Sequence, residues 1–155
     1  MLSPPGPAGQ KGTPMKQLTF SIGPTPATLW GPESGSVFLF VHGLGGNRRE
    51  AAPFAELAVP LGWQVLSVDL PEHGGRQDGA PLLPWVAVPE LQAVDAYLRA
   101  HWRRVSLRAT SIGAWLSLQS LGSVENSLLC SPLLDMKDDK HLSTEKIMEM
   151  LKESV

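Results

Sequence analysis

The sequence has one cysteine, Cys130, in 155 residues. An internal disulfide is thereby excluded, and the chain suits a reducing compartment, with the cytoplasm as the expected location. Cys130 lies in the apolar stretch SLLCSP, where a cysteine packs as a small hydrophobe more readily than it reacts. No apolar run approaches the roughly 20 residues of a spanning helix, so no membrane span is expected. The opening residues, MLSPPGPAGQKGTP, lack the apolar centre of a secretory signal. Charge of one sign is also scarce in excess: 13 Lys and Arg stand against 15 Asp and Glu, a net charge of -2. That balance gives no electrostatic reason to expect nucleic acid or an anionic membrane as partner. No internal repeat is visible.

Proline is plentiful and unevenly placed. Seven of the 14 prolines fall in the first 32 residues. Residues 1–15 are therefore expected to form a disordered leader, with Met15 a candidate start of the fold. Residues 16–155 are expected to form one domain, since the chain is long enough for a single core and 43% of it is apolar.

The order of elements predicts an α/β fold. KQLTFSI and PATLWG are short β-like stretches separated by Gly23 and Pro24, consistent with an edge hairpin. VFLFV is a continuous apolar run, the pattern of a central strand covered on both faces. Phe54, Leu57, Ala58 and Leu61 recur at helical spacing before Gly62. WQVLSVDL predicts another central strand, followed by a Gly- and Pro-rich loop. Leu91, Val94, Leu98 and Trp102 mark a second helix, and Val105, Leu107 and Ala109 a strand. Ala114, Trp115, Leu118 and Leu121 mark a third helix, and SLLCSPLLD a last strand. Alternating strands and helices imply a mostly parallel, doubly wound sheet with helices on both faces. Residues 136–155 read as an acidic loop and an amphipathic helix capped by Ser143, with Ile147, Met148 and Leu151 on one face.

One serine stands where a strand turns directly into a helix. In RATSIGAW, Ser111 is flanked two positions away by Ala109 and Gly113. Such a turn forces strained backbone geometry on its central residue and leaves no room for large neighbours. A serine placed there either attacks a substrate or bonds its own backbone. Two further stretches follow central strands, HGLGGN at 42–47 and DLPEHGGR at 69–76. Ligands of parallel sheets gather at those carboxyl ends. The glycines of the first stretch do not make a dinucleotide fingerprint, because Arg48 stands where G-x-G-x-x-G requires its last glycine. No cofactor and no metal are expected.

Together, the His-Gly after one strand, Asp-x-Pro-x-His-Gly after the next and the small-x-Ser-x-small turn resemble the α/β-hydrolase fold. The likeness spans residues 17–135 and is nearest the serine esterase and lipase-like branch. It implies Ser111 as nucleophile and the N–H groups of Leu44 and Ile112 as oxyanion donors, with Gly43 letting the main chain come close. It gives His42 a loop-shaping role, and Asp69 and His73 the same for their loop. The expected substrate is a small molecule bearing an ester, thioester or amide, cleaved through an acyl-serine intermediate. The expected alternative is an inactive module that binds a ligand or partner.

The resemblance also implies an acid and then a histidine on loops after later strands. The chain ends before them. A fold lacking its last strands is therefore expected, with impaired turnover and with the last strand an edge open to self-association. Asp135, Asp138, Asp139 and His141 do occur in the order acid then histidine. So short a separation leaves little chain to hold an imidazole between carboxylate and serine. Asp135 and His141 are thus weaker candidates, and the carboxylates read otherwise as a solvated loop. His101, at a helix end, reads as a surface residue.

Overall fold

A computed structural model of the chain describes residues 15–130. The expected leader and the Asp135, His141 and Ser143 readings lie outside those residues, save Met15 at the boundary. Met15 packs against the aromatic cluster around Trp30, so the fold includes it.

Six strands form one sheet in the order β1-β2-β4-β3-β5-β6. β1 (Gln17–Ile22) and β2 (Thr25–Trp30) pair as the expected antiparallel hairpin. β2 runs antiparallel to β4 (Gln64–Val68), whereas β4, β3 (Ser36–Val41), β5 (Arg104–Thr110) and β6 (Ser127–Cys130) are mutually parallel. β3 lies between β4 and β5 and every one of its residues is buried, as a continuous apolar run requires.

Alternation along β3 divides the core into two layers. Val37, Leu39 and Val41 face a cluster built with Leu91, Val94 and Leu98 of α2 (Pro84–His101) and with Ala114 and Leu116 of α3 (Ile112–Ser120). Phe38 and Phe40 face the other way, onto Ala55 and Ala58 of α1 (Ala52–Ala58) and onto Phe54 and Trp63. Helices thus cover both faces of a mostly parallel sheet, the doubly wound architecture that the element order predicts.

Two helical faces differ from expectation. In α1 the buried residues are Ala55 and Ala58, while Leu57 and Leu61 are 70% and 78% exposed. Small residues let this short helix lie close to the sheet, and the rings of Phe38, Phe54 and Trp63 fill the remaining space. In α3 the buried face is Gly113, Ala114, Leu116, Ser117 and Ser120, and Leu118 points outward. Ser117 and Ser120 enter the core because each hydroxyl donates to a carbonyl one turn earlier, at Gly113 (2.7 Å) and Leu116 (2.6 Å).

Candidate active site

β3, β4 and β5 are neighbours and parallel, so the segments that leave their carboxyl ends emerge side by side. These are residues 42–47, residues 69–83 and Ser111. Ser111 joins β5 to α3 at φ 55° and ψ −125°. A left-handed φ in a residue with a side chain costs about 1–3 kcal/mol and persists only where its surroundings dictate it. Here they do. The Ser111 N–H donates to the Cys130 carbonyl at the end of β6 (2.9 Å), and the Ser111 carbonyl accepts from Ala114 (2.9 Å) and Trp115 (3.2 Å). The Ser111 side chain makes no capping bond to α3.

Glycines let the two neighbouring segments approach. A Cβ at Gly113 would overlap the His42 carbonyl oxygen and stand 2.9 Å from that of Val41. A Cβ at Gly43 would stand 3.1 Å from Ser111 Cβ and 3.2 Å from the Thr110 carbonyl oxygen. The main chain after β3 therefore lies directly against the serine turn.

The conformation of residues 43–46 follows from three bonds. The Gly46 N–H donates to the Gly43 carbonyl (3.0 Å) and Gly45 has φ 83°, the pattern of a type II turn with Leu44 at its first central position. His42, fully buried, uses both ring nitrogens. Its Nδ1–H donates to the Gly43 carbonyl (2.7 Å), and Nε2 accepts from the Leu70 N–H (3.0 Å) on the neighbouring segment. With two donors fixing the Gly43 oxygen, the Leu44 N–H is held on the opposite side of the same planar peptide. Neither the Leu44 nor the Ile112 N–H has an acceptor among the described residues. The Leu44 side chain is 77% exposed, so its main chain is the part that the fold constrains.

Burial pushes the His42 pKa below the usual 6.5, and the nearby His73 adds to this against the opposing pull of the Gly43 carbonyl. The unfolded chain therefore takes up a proton at a pH where folded His42 stays neutral. The stabilisation is complete above about pH 6.5 and declines as pH falls through the folded-state pKa, by about 1.4 kcal/mol per unit. Denaturant unfolding followed from neutral to mildly acidic pH should show that slope, and His42→Gln should flatten it.

The segment after β4 is organised by Asp69, whose side chain is completely buried. Its carboxylate accepts from the Arg48 N–H (2.7 Å), from the Gly75 N–H (3.0 Å) and from the Arg48 guanidinium. A Cβ at Gly74 would overlap that carboxylate, and Gly74 has φ 60°. Asp69→Ala would leave all these donors unanswered. The expected loss is about 3–5 kcal/mol, read as a lowered unfolding midpoint. Farther along, the Arg76 guanidinium donates to both carboxylate oxygens of Glu90 (2.7 and 2.9 Å) and to Asp78 (2.8 Å), tying the segment to α2. Those bonds raise the Arg76 pKa and keep it charged.

The structure thus brings Ser111, Ile112, Gly43, Leu44 and His42 together. Both ring nitrogens of His42 are engaged, one within its own segment and one across to Leu70. His73 is engaged likewise, at Pro71 and Gly45. His101 bonds to the Tyr97 carbonyl before β5 begins, a strand length of roughly 20 Å from Ser111. The Arg48–Asp69 and Arg76–Glu90 pairs are not evident in the sequence, since their partners stand 21 and 14 residues apart.

The Alpha/beta hydrolase family model matches residues 38–149. The chain belongs to that family. No curated protein matches it. Among solved structures it is similar to an esterase of the bacterial hormone-sensitive lipase family, at 19% identity and TM-score 0.63 over 93% of this chain and 58% of the other. A lipase-like protein from Acinetobacter baumannii is 14% identical with TM-score 0.65, over 88% and 48% of the two chains. Potato epoxide hydrolase is 17% identical with TM-score 0.62, over 90% and 47%. At these identities the likeness carries the α/β-hydrolase fold alone. The chain spans about half the length of the solved structures it matches. Among the described residues, no helix is long and apolar enough to cross a membrane.

Proposed function

We propose that this α/β-hydrolase chain carries the nucleophile and oxyanion donors of a cytoplasmic serine hydrolase acting on a small ester, thioester or amide. The observation that carries this reading is Ser111, held at φ 55° with its hydroxyl uncapped and Gly43 against it. Ser111 Oγ attacks the acyl carbonyl and its proton passes to a base. The carbonyl π electrons move onto oxygen, and the N–H groups of Leu44 and Ile112 stabilise that charge. Collapse of the intermediate expels the alcohol, thiol or amine, and water then releases the acid. His42, His73 and His101 are each bonded elsewhere, which speaks against any of them as that base. Asp135 and His141 stay the weaker candidates for acid and base.

That engagement of His42, His73 and His101 favours a second reading, a binding module without chemistry. Labelling by a fluorophosphonate separates the two, because the serine oxygen displaces fluoride from phosphorus without requiring the true substrate. The expected result is labelling of the whole chain that Ser111→Ala abolishes and His141→Ala leaves unchanged. A binding module would remain unlabelled in all three forms.

A further inference from the structure

The two faces of the sheet are covered unequally at β5 and β6. On the side of α2 and α3, Val105, Leu107, Ala109 and Leu129 join the core, and Leu129 is 1% exposed. The aromatic layer under α1 takes its strand residues from β2, β3 and β4, and none from β5 or β6. Leu128, which alternation turns to that side, is 38% exposed.

Arg108 occupies the same side. It pairs in register with Leu128, as Thr110 does with Cys130. Its guanidinium carbon lies 5.8 Å from the centre of the Phe40 ring and 5.7 Å from that of Phe54, an aromatic seat for a cation. Among the described residues its side chain makes one hydrogen bond, to Thr110 Oγ1 (3.3 Å). A guanidinium has five N–H donors, and no carboxylate among the described residues pairs with this one. Arg104, at the start of the same strand, shows the contrast. It lies over Trp63 and is paired with Glu125.

The chain itself carries the complement. After Cys130 come 25 residues with six carboxylates and four lysines. Three of those carboxylates, Asp135, Asp138 and Asp139, stand within the stretch DMKDD. Cys130 is level with Thr110, so the chain leaves β6 two residues, roughly 7 Å, beyond Arg108. Residues 131–134 are enough to reverse its direction, and Leu133 and Leu134 among them match the exposed Leu128. We propose that the stretch 135–139 folds back over the α1 side of β5 and β6 and sets its carboxylates on Arg108. The guanidinium fork takes an aspartate, and Leu128 takes the two leucines. The layer that α1 leaves open is closed in this way from the same chain.

Cys130 is the one thiol of the chain and alternation puts it on the same side as Leu128, so its alkylation by iodoacetamide reports whether that side is covered. The rate is followed by mass spectrometry on the whole chain. Arg108→Gln should speed alkylation about fivefold, the change in an opening equilibrium for an ion pair of about 1 kcal/mol. Replacing Asp135, Asp138 and Asp139 together by Asn should do the same. Combining both changes should add nothing further, because either alone breaks the same pair. The Asn variant leaves residues 15–130 untouched, so it decides the matter if Arg108→Gln unfolds. An unchanged rate in the Asn variant would overturn the proposal, as would effects that multiply in the combined variant. So would protection of the wild-type thiol that fades on dilution, which would put the carboxylates of a second copy on Arg108.

Discussion

Gly113→Ala should abolish cooperative folding or lower the unfolding midpoint drastically. A single added methyl group there would overlap the His42 carbonyl oxygen and crowd the Val41 carbonyl and side chain. None of these can move cheaply. Val41 ends the central strand, and His42 is tied to both Gly43 and Leu70. Relief would require α3 to lift from the sheet, exposing Ala114 and Leu116. The expected cost is about 3 kcal/mol or more, a large share of the stability of a small domain. Circular dichroism during heating reads it directly. A wild-type-like transition would mean that α3 packs less closely than described.

The second large effect separates main chain from side chain at Leu44. Leu44→Ala should change fluorophosphonate labelling little, because the Leu44 side chain is mostly in solvent. Leu44→Pro should slow it about 10²–10³-fold, the range seen when one oxyanion donor is removed. Proline deletes the N–H and is otherwise suited to this place, the first central position of a type II turn. The preceding residue is Gly43, which has no Cβ for the proline ring to strike. Stability should therefore hold while reactivity falls. Equal labelling of the Ala and Pro variants would exclude the Leu44 N–H as a donor.

Much of this arrangement is legible in the sequence, for identifiable reasons. VFLFV announces a central strand because burial on both faces demands an unbroken apolar run. Ala109 and Gly113 announce the turn at Ser111 because sterics act locally, within two residues. The buried faces of α1 and α3 are less legible. Periodicity weighs Leu57 and Leu61 above Ala55 and Ala58, whereas close packing against large sheet aromatics favours the alanines. Least legible are the links between segments, Arg48 to Asp69 and Gly45 to His73. Their partners lie 21 and 28 residues apart, and only the parallel pairing of β3 with β4 brings them together. DLPEHGGR marks a loop of defined shape but does not name the residue across from it.

The N–H groups of Leu44 and Ile112 are proposed to serve one oxygen on a group bonded to Ser111. A crystal structure of the chain after fluorophosphonate treatment tests it most directly. Phosphorus should be bonded to Ser111 Oγ, with one phosphonyl oxygen roughly 2.7–3.1 Å from both nitrogens. A phosphonyl oxygen turned to solvent, or bonded to other donors while Leu44 and Ile112 point elsewhere, would contradict it.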